Sequence, residues 1–414
     1  MKTTVTLTIT EVAYGGKGIG RHEGKVCFVP GVLPGETVVA ERVRDRGGYW
    51  EARLREIVEP VPARVAPACP YAFQCPAAGS GVRAPAAAGA CPGCCYQQAA
   101  YGEELRIKER QLQSLMLRHA RVDADVFQPP VPAAAPLGYR NKMALHAQAD
   151  GAAMRLGYVL EDNATILDIA ACPLAVPPLN ALLQQLREEP SFRRTLKDGM
   201  TVTFRWTEPN GAVWWRNRAA ENDVWLVESS RIGPLSVPRN SFYQMNPVMA
   251  DRLVEAVQER VRAALPGIFV DLYCGIGVFA LAAAALGVPQ VIGVDLDGPG
   301  IKAADYNARK LGFANTTWKA VKAQEGIRQL TLARPGHTTL LVDPPRTGLG
   351  LETVRQVLKQ RPARLLYVSC APDTLARDVA WLKEGGYAVG AVQLFDLFPR
   401  TAHFETLAEL RLEA

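Results

Sequence analysis

Apolar and polar residues alternate from Thr4 to Ile9 (TVTLTI), the period-two pattern of a strand with one buried face. GGKGIG then supplies a turn, and KVCFVPGVLPGETVVAERV breaks into short strands at its Gly and Pro residues. YWEARLREIVE continues the pattern, so residues 1–58 are expected to form a small five-stranded β-barrel of the OB or SH3 type. Residues 59–95 are rich in Pro, Ala, Gly and Cys, and need a cross-link to become ordered. Helical spacing of Leu105, Leu112, Leu115 and Met116 follows in YGEELRIKERQLQSLMLRH.

Between residues 137 and 240 the pattern predicts an α+β unit. GYRNKMALHAQ, AMRLGYVL, MTVTFRWTE, AVWWRN and DVWLVES read as antiparallel strands, and LAVPPLNALLQQLREE as a helix. This unit and the cysteine-rich stretch make a middle domain, 59–240. From 241 to 414 the pattern changes again. A helix (PVMADRLVEAVQERVRAAL) precedes apolar strands IFVDLYC, QVIGVDLD, TLLVDPP and RLLYVSC, which alternate with helices. Near-continuous apolar strands between helices imply a mostly parallel, doubly wound, Rossmann-like sheet. The fold class is therefore multidomain α/β.

Composition narrows the function only mildly. The 414 residues carry a net charge of +6, which permits a nucleic-acid partner without demanding one. No run of about 18 apolar residues is present, and the N-terminus lacks the pattern of a signal peptide. No membrane association and a cytoplasmic location are expected. Five of the nine cysteines lie between Cys69 and Cys95, which in a cytosolic chain points to metal or redox chemistry rather than disulfides.

The last third of the chain carries most of the chemistry. DLYCGIGVFA places Gly275, Gly277 and Ala280 in a G-x-G-x-x-A turn after a strand, and Asp295 closes the next strand where it can reach ribose hydroxyls. This fits a dinucleotide or an S-adenosylmethionine site equally. Asp343-Pro-Pro-Arg346 ends another strand, and its prolines force the chain out of the sheet at the carboxyl edge, where ligands bind. A methyltransferase that brings a flat base beside a sulfonium has a use for that segment; a NAD-dependent oxidoreductase has none. Cys370 ends a strand at the same edge, ahead of a helix whose N-terminus is expected to depress its pKa. Cys274, within the glycine turn, reads as packing. Glu405 is either a proton acceptor or a salt-bridged group, with His403 beside it.

FYQMN (Phe242–Asn246), DLYCGIG, VDPPRTGL, YVSC and FPRTAHFET occur in the order and spacing of the uracil-5 RNA methyltransferases. The chain resembles that family over nearly its whole length. Its opening GGKGIGRHEGKVCFVPGVLPGE similarly resembles the family's N-terminal TRAM barrel, which binds RNA. The resemblance implies that Cys370 adds to carbon 6 of a uracil. It also implies that carbon 5 takes a methyl group from S-adenosylmethionine and that Glu405 removes the carbon-5 proton. Gln244, Tyr273, Gly275, Gly277, Asp295 and Asp343 would contact the cofactor, with orienting the uracil edge as the alternative role for Asp343. The chain departs from the family at Val278, where many relatives have Asn, and at Asp295, where Glu is frequent.

Cys91-Pro-Gly-Cys94 is a CxxC pair that suits zinc or iron–sulfur. The resemblance implies a [4Fe–4S] cluster on Cys69, Cys91, Cys94 and Cys172, with Cys75 as an alternative first ligand. Lys17, Arg21, Arg42, Arg44 and Arg46 are candidate RNA contacts on the barrel. Tyr139-Arg140-Asn141-Lys142 reads either as a further contact for single-stranded RNA or as an ordinary strand. By family analogy a monomer acting on a 23S rRNA loop is expected, with tRNA as the alternative substrate. A non-catalytic RNA-binding protein is the competing reading from another class.

Overall fold

Strands Thr4–Val12, Lys17–His22, Lys25–Pro30, Thr37–Asp45 and Tyr49–Glu59 close into a barrel. The structure, a computed structural model, describes residues 3–73, 89–151, 153–217, 225–330 and 335–413. The alternation in the first strand has the predicted effect: Val5, Leu7 and Ile9 fill the barrel while Thr4, Thr6 and Thr8 face out. Arg64, just beyond the last strand, pairs with the fully buried Glu36.

The middle segment contains a five-stranded antiparallel sheet in the order Gly211–Arg216, Thr201–Thr207, Lys142–Asp150, Ala153–Val159 and Ile166–Asp168. Helix Pro177–Glu188 covers one face through Leu179, Leu183 and Leu186. The predicted strand DVWLVES does not join this sheet. Its described part, Leu226–Glu228, pairs instead with Leu235–Val237 in a separate two-stranded ribbon. Glu228 is buried there and bonded to Arg205 of the sheet at 2.6 Å. A buried ion pair with this geometry holds the ribbon against the sheet without ladder bonds.

The C-terminal part is built on an eight-stranded sheet. Thr316–Ala320, Gln290–Asp295, Ile268–Leu272, Thr338–Val342 and Arg364–Ser369 run parallel in that order. Glu405–Leu412 then pairs antiparallel with the Arg364–Ser369 strand, and Tyr387–Phe395 pairs antiparallel with Glu405–Leu412. Phe127–Val131 completes the outer edge. Thr338–Val342 and Arg364–Ser369, at the centre of the sheet, are buried on both faces, whereas the edge strand Thr316–Ala320 is not. One face packs on helices Gly350–Gln360 and Pro372–Glu384, the other on helices Pro247–Ala263 and Val278–Ala284.

Helix Tyr101–Leu115 ends in a π-helical turn, Met116–Ala120, and packs on the C-terminal core through Leu112, Met116 and Ala120. Its buried face is half polar, with Glu104, Lys108 and Gln111 beside Ile107 and Leu112. Among the described residues no helix is long and apolar enough to cross a membrane.

Candidate active site

The strand Ile268–Leu272 ends in a turn that the side chains around it dictate. Tyr273 at φ +65°, Gly275 at +54° and Gly277 at +84° bend the chain through the left-handed region into helix Val278–Ala284. The two glycines do different work. Around Gly275 nothing lies within 4 Å of where a Cβ would stand, so a ligand can approach the backbone. At Gly277 a Cβ would sit 2.5 Å from the Trp318 ring, so this glycine serves close packing of turn, strand and helix rather than ligand approach. Asp295 braces the turn: its carboxylate accepts from the Gly275 N–H at 2.8 Å and from the Asp297 N–H at 2.7 Å.

Gln244, Tyr273, Gly275 and Asp343 line one apolar pocket, together with Phe242, Tyr243, Val278 and Phe279. Four predicted cofactor residues therefore converge, while Asp295 shapes the turn from behind. The Gln244 Oε1 is buried without a partner, an acceptor left for a ligand's N–H or O–H group. Sequence reasoning missed Asp271. It is fully buried, and one carboxyl oxygen accepts from the Ala280 N–H at 3.0 Å, which fixes the start of the helix.

Asp343, Cys370 and Glu405 meet where three neighbouring strands end. Val342 lies opposite Tyr367 in the parallel pair, and Ser369 lies opposite Thr406 in the antiparallel pair. Cys370 follows Ser369 and Glu405 precedes Thr406, so thiol and carboxyl face each other across adjacent strand ends. Glu405 is buried, and its Oε2 has no hydrogen-bond partner. Arg346, from the Asp-Pro-Pro-Arg turn, is the cation of the site and lies 3.2 Å from the His403 Nε2. The sequence motif contained this arginine but gave it no role.

The electrostatics are those of a crowded acidic pocket. Burial, then the charges of Glu405 and Asp343, push the Cys370 thiol up to about 11, with Arg346 opposing. The expected depression by the helix N-terminus does not prevail, because desolvation and two nearby carboxyls outweigh the helix dipole. Asp343 is pushed up to about 7 by burial and by Asp295. Burial and the neighbouring Asp343 hold Glu405 well above the carboxylate range, against the pull of Arg346. Burial and the Arg346 charge lower His403 to about 4, which keeps the ring neutral. A cationic ligand would favour the ionised form of every acid here.

The cysteine segment sits apart from this pocket. Cys91, Cys94 and Cys172 line a common cavity with Arg140 and Tyr158. Cys69 belongs to the same group, since its charge acts on Cys91 and that of Cys172 acts on it. Gln97 Nε2 donates to the Cys94 sulfur at 3.7 Å. Among the described residues no three His, Cys, Asp or Glu groups gather as ligands of one metal ion. Cys75 lies outside the described residues.

In the Tyr139–Lys142 segment, three residues face the protein interior. Tyr139 is buried and donates to the Pro399 carbonyl at 2.9 Å, Arg140 faces the cysteine cavity, and Asn141 is buried beside Glu228. On the barrel, Lys17, Arg21, Arg44 and Arg46 are exposed, whereas Arg42 lies over the Trp50 ring at 5.2 Å.

A glycine turn, a pocket at the carboxyl edge of an open α/β sheet and an adjoining thiol have the layout of an enzyme that binds a nucleotide-like cofactor. Comparison with known proteins makes that class specific. Residues 235–411 match the tRNA (uracil-5-)-methyltransferase family and residues 2–54 match the TRAM domain. A 23S rRNA (uracil(1939)-C(5))-methyltransferase of Pseudomonas savastanoi pv. phaseolicola is 30% identical over 97% of this chain and 92% of its own. An RNA methyltransferase of Thermosynechococcus vestitus is 28% identical over 98% of each chain. The fold is shared with the crystallised Pyrococcus abyssi tRNA (uracil-54, C5)-methyltransferase, with a TM-score of 0.72 and 22% identity over 98% of this chain and 99% of that one. The chain belongs to the RNA uracil-5-methyltransferase family and is an S-adenosylmethionine-dependent enzyme that acts on RNA.

Proposed function

We propose that this enzyme methylates carbon 5 of a uridine in 23S rRNA, with Cys370 as nucleophile and Glu405 as general base. The observation that carries the reading is the placement of thiol and carboxyl at facing strand ends beside Asp343 and the glycine-turn pocket. The Cys370 thiolate adds to carbon 6, and the carbon 5–carbon 6 electron pair becomes an enolate nucleophilic at carbon 5. Carbon 5 takes the methyl group of S-adenosylmethionine, whose sulfur–methyl bond breaks with its electron pair kept by sulfur, leaving S-adenosylhomocysteine. Glu405 then accepts the carbon-5 proton, the double bond re-forms, and the carbon–sulfur bond breaks to release the thiolate. The base must leave its stack to enter so enclosed a site. Gln244, Tyr273, Gly275 and Asp343 hold the cofactor, while Gly277 and Asp295 shape the turn that receives it.

The choice of 23S rRNA is favoured by relatives of that name that align over nearly the full chain, barrel included. Cys69, Cys91, Cys94 and Cys172 are proposed to hold a [4Fe–4S] cluster that orders a segment poor in apolar residues. The proposed reaction has no redox step, so the cluster's role is structural. The protein is taken to act as a cytoplasmic monomer. Mass-spectrometric mapping of 5-methyluridine in RNA from a deletion strain tests the substrate. Loss of one 5-methyluridine from 23S rRNA is expected; loss from tRNA alone would overturn the choice.

A further inference from the structure

The turn between the first two barrel strands reaches out of the barrel into the catalytic part of the molecule. Ala13-Tyr14-Gly15-Gly16 is closed by the Ala13 N–H on the Lys17 carbonyl at 2.8 Å and the Gly16 N–H on the Ala13 carbonyl at 3.0 Å. Gln111 of helix Tyr101–Leu115 donates to the Val12 and Ala13 carbonyls, both at 2.9 Å. Gly16 lies against Cys95, where a Cβ would stand 2.6 Å from that side chain. The turn is thus docked by contacts that do not involve the Tyr14 side chain.

The Tyr14 ring is free for another task. It packs edge-on against Phe404, with ring centroids 5.9 Å apart, and its hydroxyl lies 3.5 Å from the Cys370 carbonyl. Phe404 is fully buried and immediately precedes Glu405. One barrel side chain therefore touches both segments that carry the proposed nucleophile and base. The cleft between barrel and helix also ends at Tyr14, with the exposed Arg110 and Arg118 along it. The hydroxyl distance is long for a finished hydrogen bond. Such contacts commonly tighten when substrate is bound.

We propose that Tyr14 is a positioning residue for Cys370, through which the barrel's hold on RNA is coupled to the placement of the thiol. This rests on the assignment of Cys370 as nucleophile. Burial and then the Asp373 charge push the phenol up to about 12, so it remains a donor through the working pH range. When RNA seats on the barrel, the turn carries the phenol onto the Cys370 carbonyl and fixes the short link between the strand and helix Pro372–Glu384.

The test compares full-length wild type, Tyr14→Phe, Tyr14→Ala and Cys370→Ala on 23S rRNA containing 5-fluorouridine, with S-adenosylmethionine present. The rate and final yield of covalent adduct are measured with the RNA KM for methylation. Tyr14→Phe keeps the ring on Phe404, so its RNA KM should stay at the wild-type value while adduct formation at saturating RNA slows about tenfold or more. Tyr14→Ala should add a raised KM. Equal adduct rates in wild type and Tyr14→Phe would overturn the proposal for Tyr14, as would a change confined to KM. An adduct in Cys370→Ala would instead overturn the assignment of the nucleophile.

Discussion

Cys370 is a half-buried thiol whose neighbouring carboxyls oppose its ionisation, with its pKa held at about 11. In the free enzyme the thiolate fraction should rise about tenfold per pH unit below that value. Alkylation of Cys370 by iodoacetamide should follow the same slope, and S-adenosylmethionine should shift the profile to lower pH because its cation offsets Glu405 and Asp343. A profile with an inflection near neutrality in the free enzyme would contradict this electrostatic picture. Glu405 carries a second prediction. Glu405→Gln should still form the RNA adduct while turnover falls by about a hundredfold or more; undiminished turnover would remove Glu405 as the base. Asp343 bears on stability. Its folded value of about 7 lies above its ordinary 3.8, so the stability it contributes is complete below the ordinary value and lost as pH rises through the folded one. The melting temperature of the free enzyme should fall across that window, and Asp343→Asn should flatten the fall.

Among the elements, helix Tyr101–Leu115 departs furthest from the way its sequence reads. Lys108 belongs to what reads as a charged outer face, yet it is fully buried between Glu104 and Asp396, 2.8 Å from each. Tyr101 donates to the same Asp396 at 3.0 Å. Lys108→Met would leave the buried Asp396 without its cation and Glu104 with Arg400 alone, at a cost of about 3–5 kcal/mol. The urea midpoint should drop accordingly; an unchanged midpoint would show that the pair adds nothing. Amphipathic spacing revealed that a helix was present but not that half of its buried face is polar, because the partner Asp396 lies far along the chain. Phe127–Val131 was equally hidden, since Pro129 and Pro130 argue against a strand. It occupies the outer edge of the sheet, the one position where a strand tolerates missing N–H groups. The barrel strands, the glycine turn and the strand ends bearing Asp343 and Cys370 were legible because local periodicity and turn chemistry set them. Tyr14 was not, because its role depends only on how the barrel docks.

At the scale of the molecule, parts remote in sequence converge on the loop that leads to Glu405. The Cys95 and Tyr96 N–H groups donate to the Arg400 carbonyl at 3.0 and 3.1 Å, and Tyr139 donates to Pro399. Arg400 itself is left-handed, at φ +69°, and its N–H donates to Glu104. The cysteine segment thus braces the loop that leads to Glu405 directly, so the proposed cluster would matter to the proposed reaction without any electron transfer. Protein purified anaerobically should be brown with about four irons per chain. Cys94→Ala should lose the iron and slow methylation while S-adenosylmethionine still binds its separate pocket. An iron-free, colourless and fully active wild type would refute the cluster.

The covalent route is tested most directly by trapping it. Carbon 5 of 5-fluorouridine carries fluorine in place of the proton that Glu405 would remove, so an adduct once methylated cannot resolve. Digestion of the trapped complex followed by mass spectrometry should give one RNA-linked peptide. That peptide should carry the transferred methyl group and be attached through Cys370, with none from Cys370→Ala. A linkage through any other residue, or a linked peptide from Cys370→Ala, would contradict the mechanism.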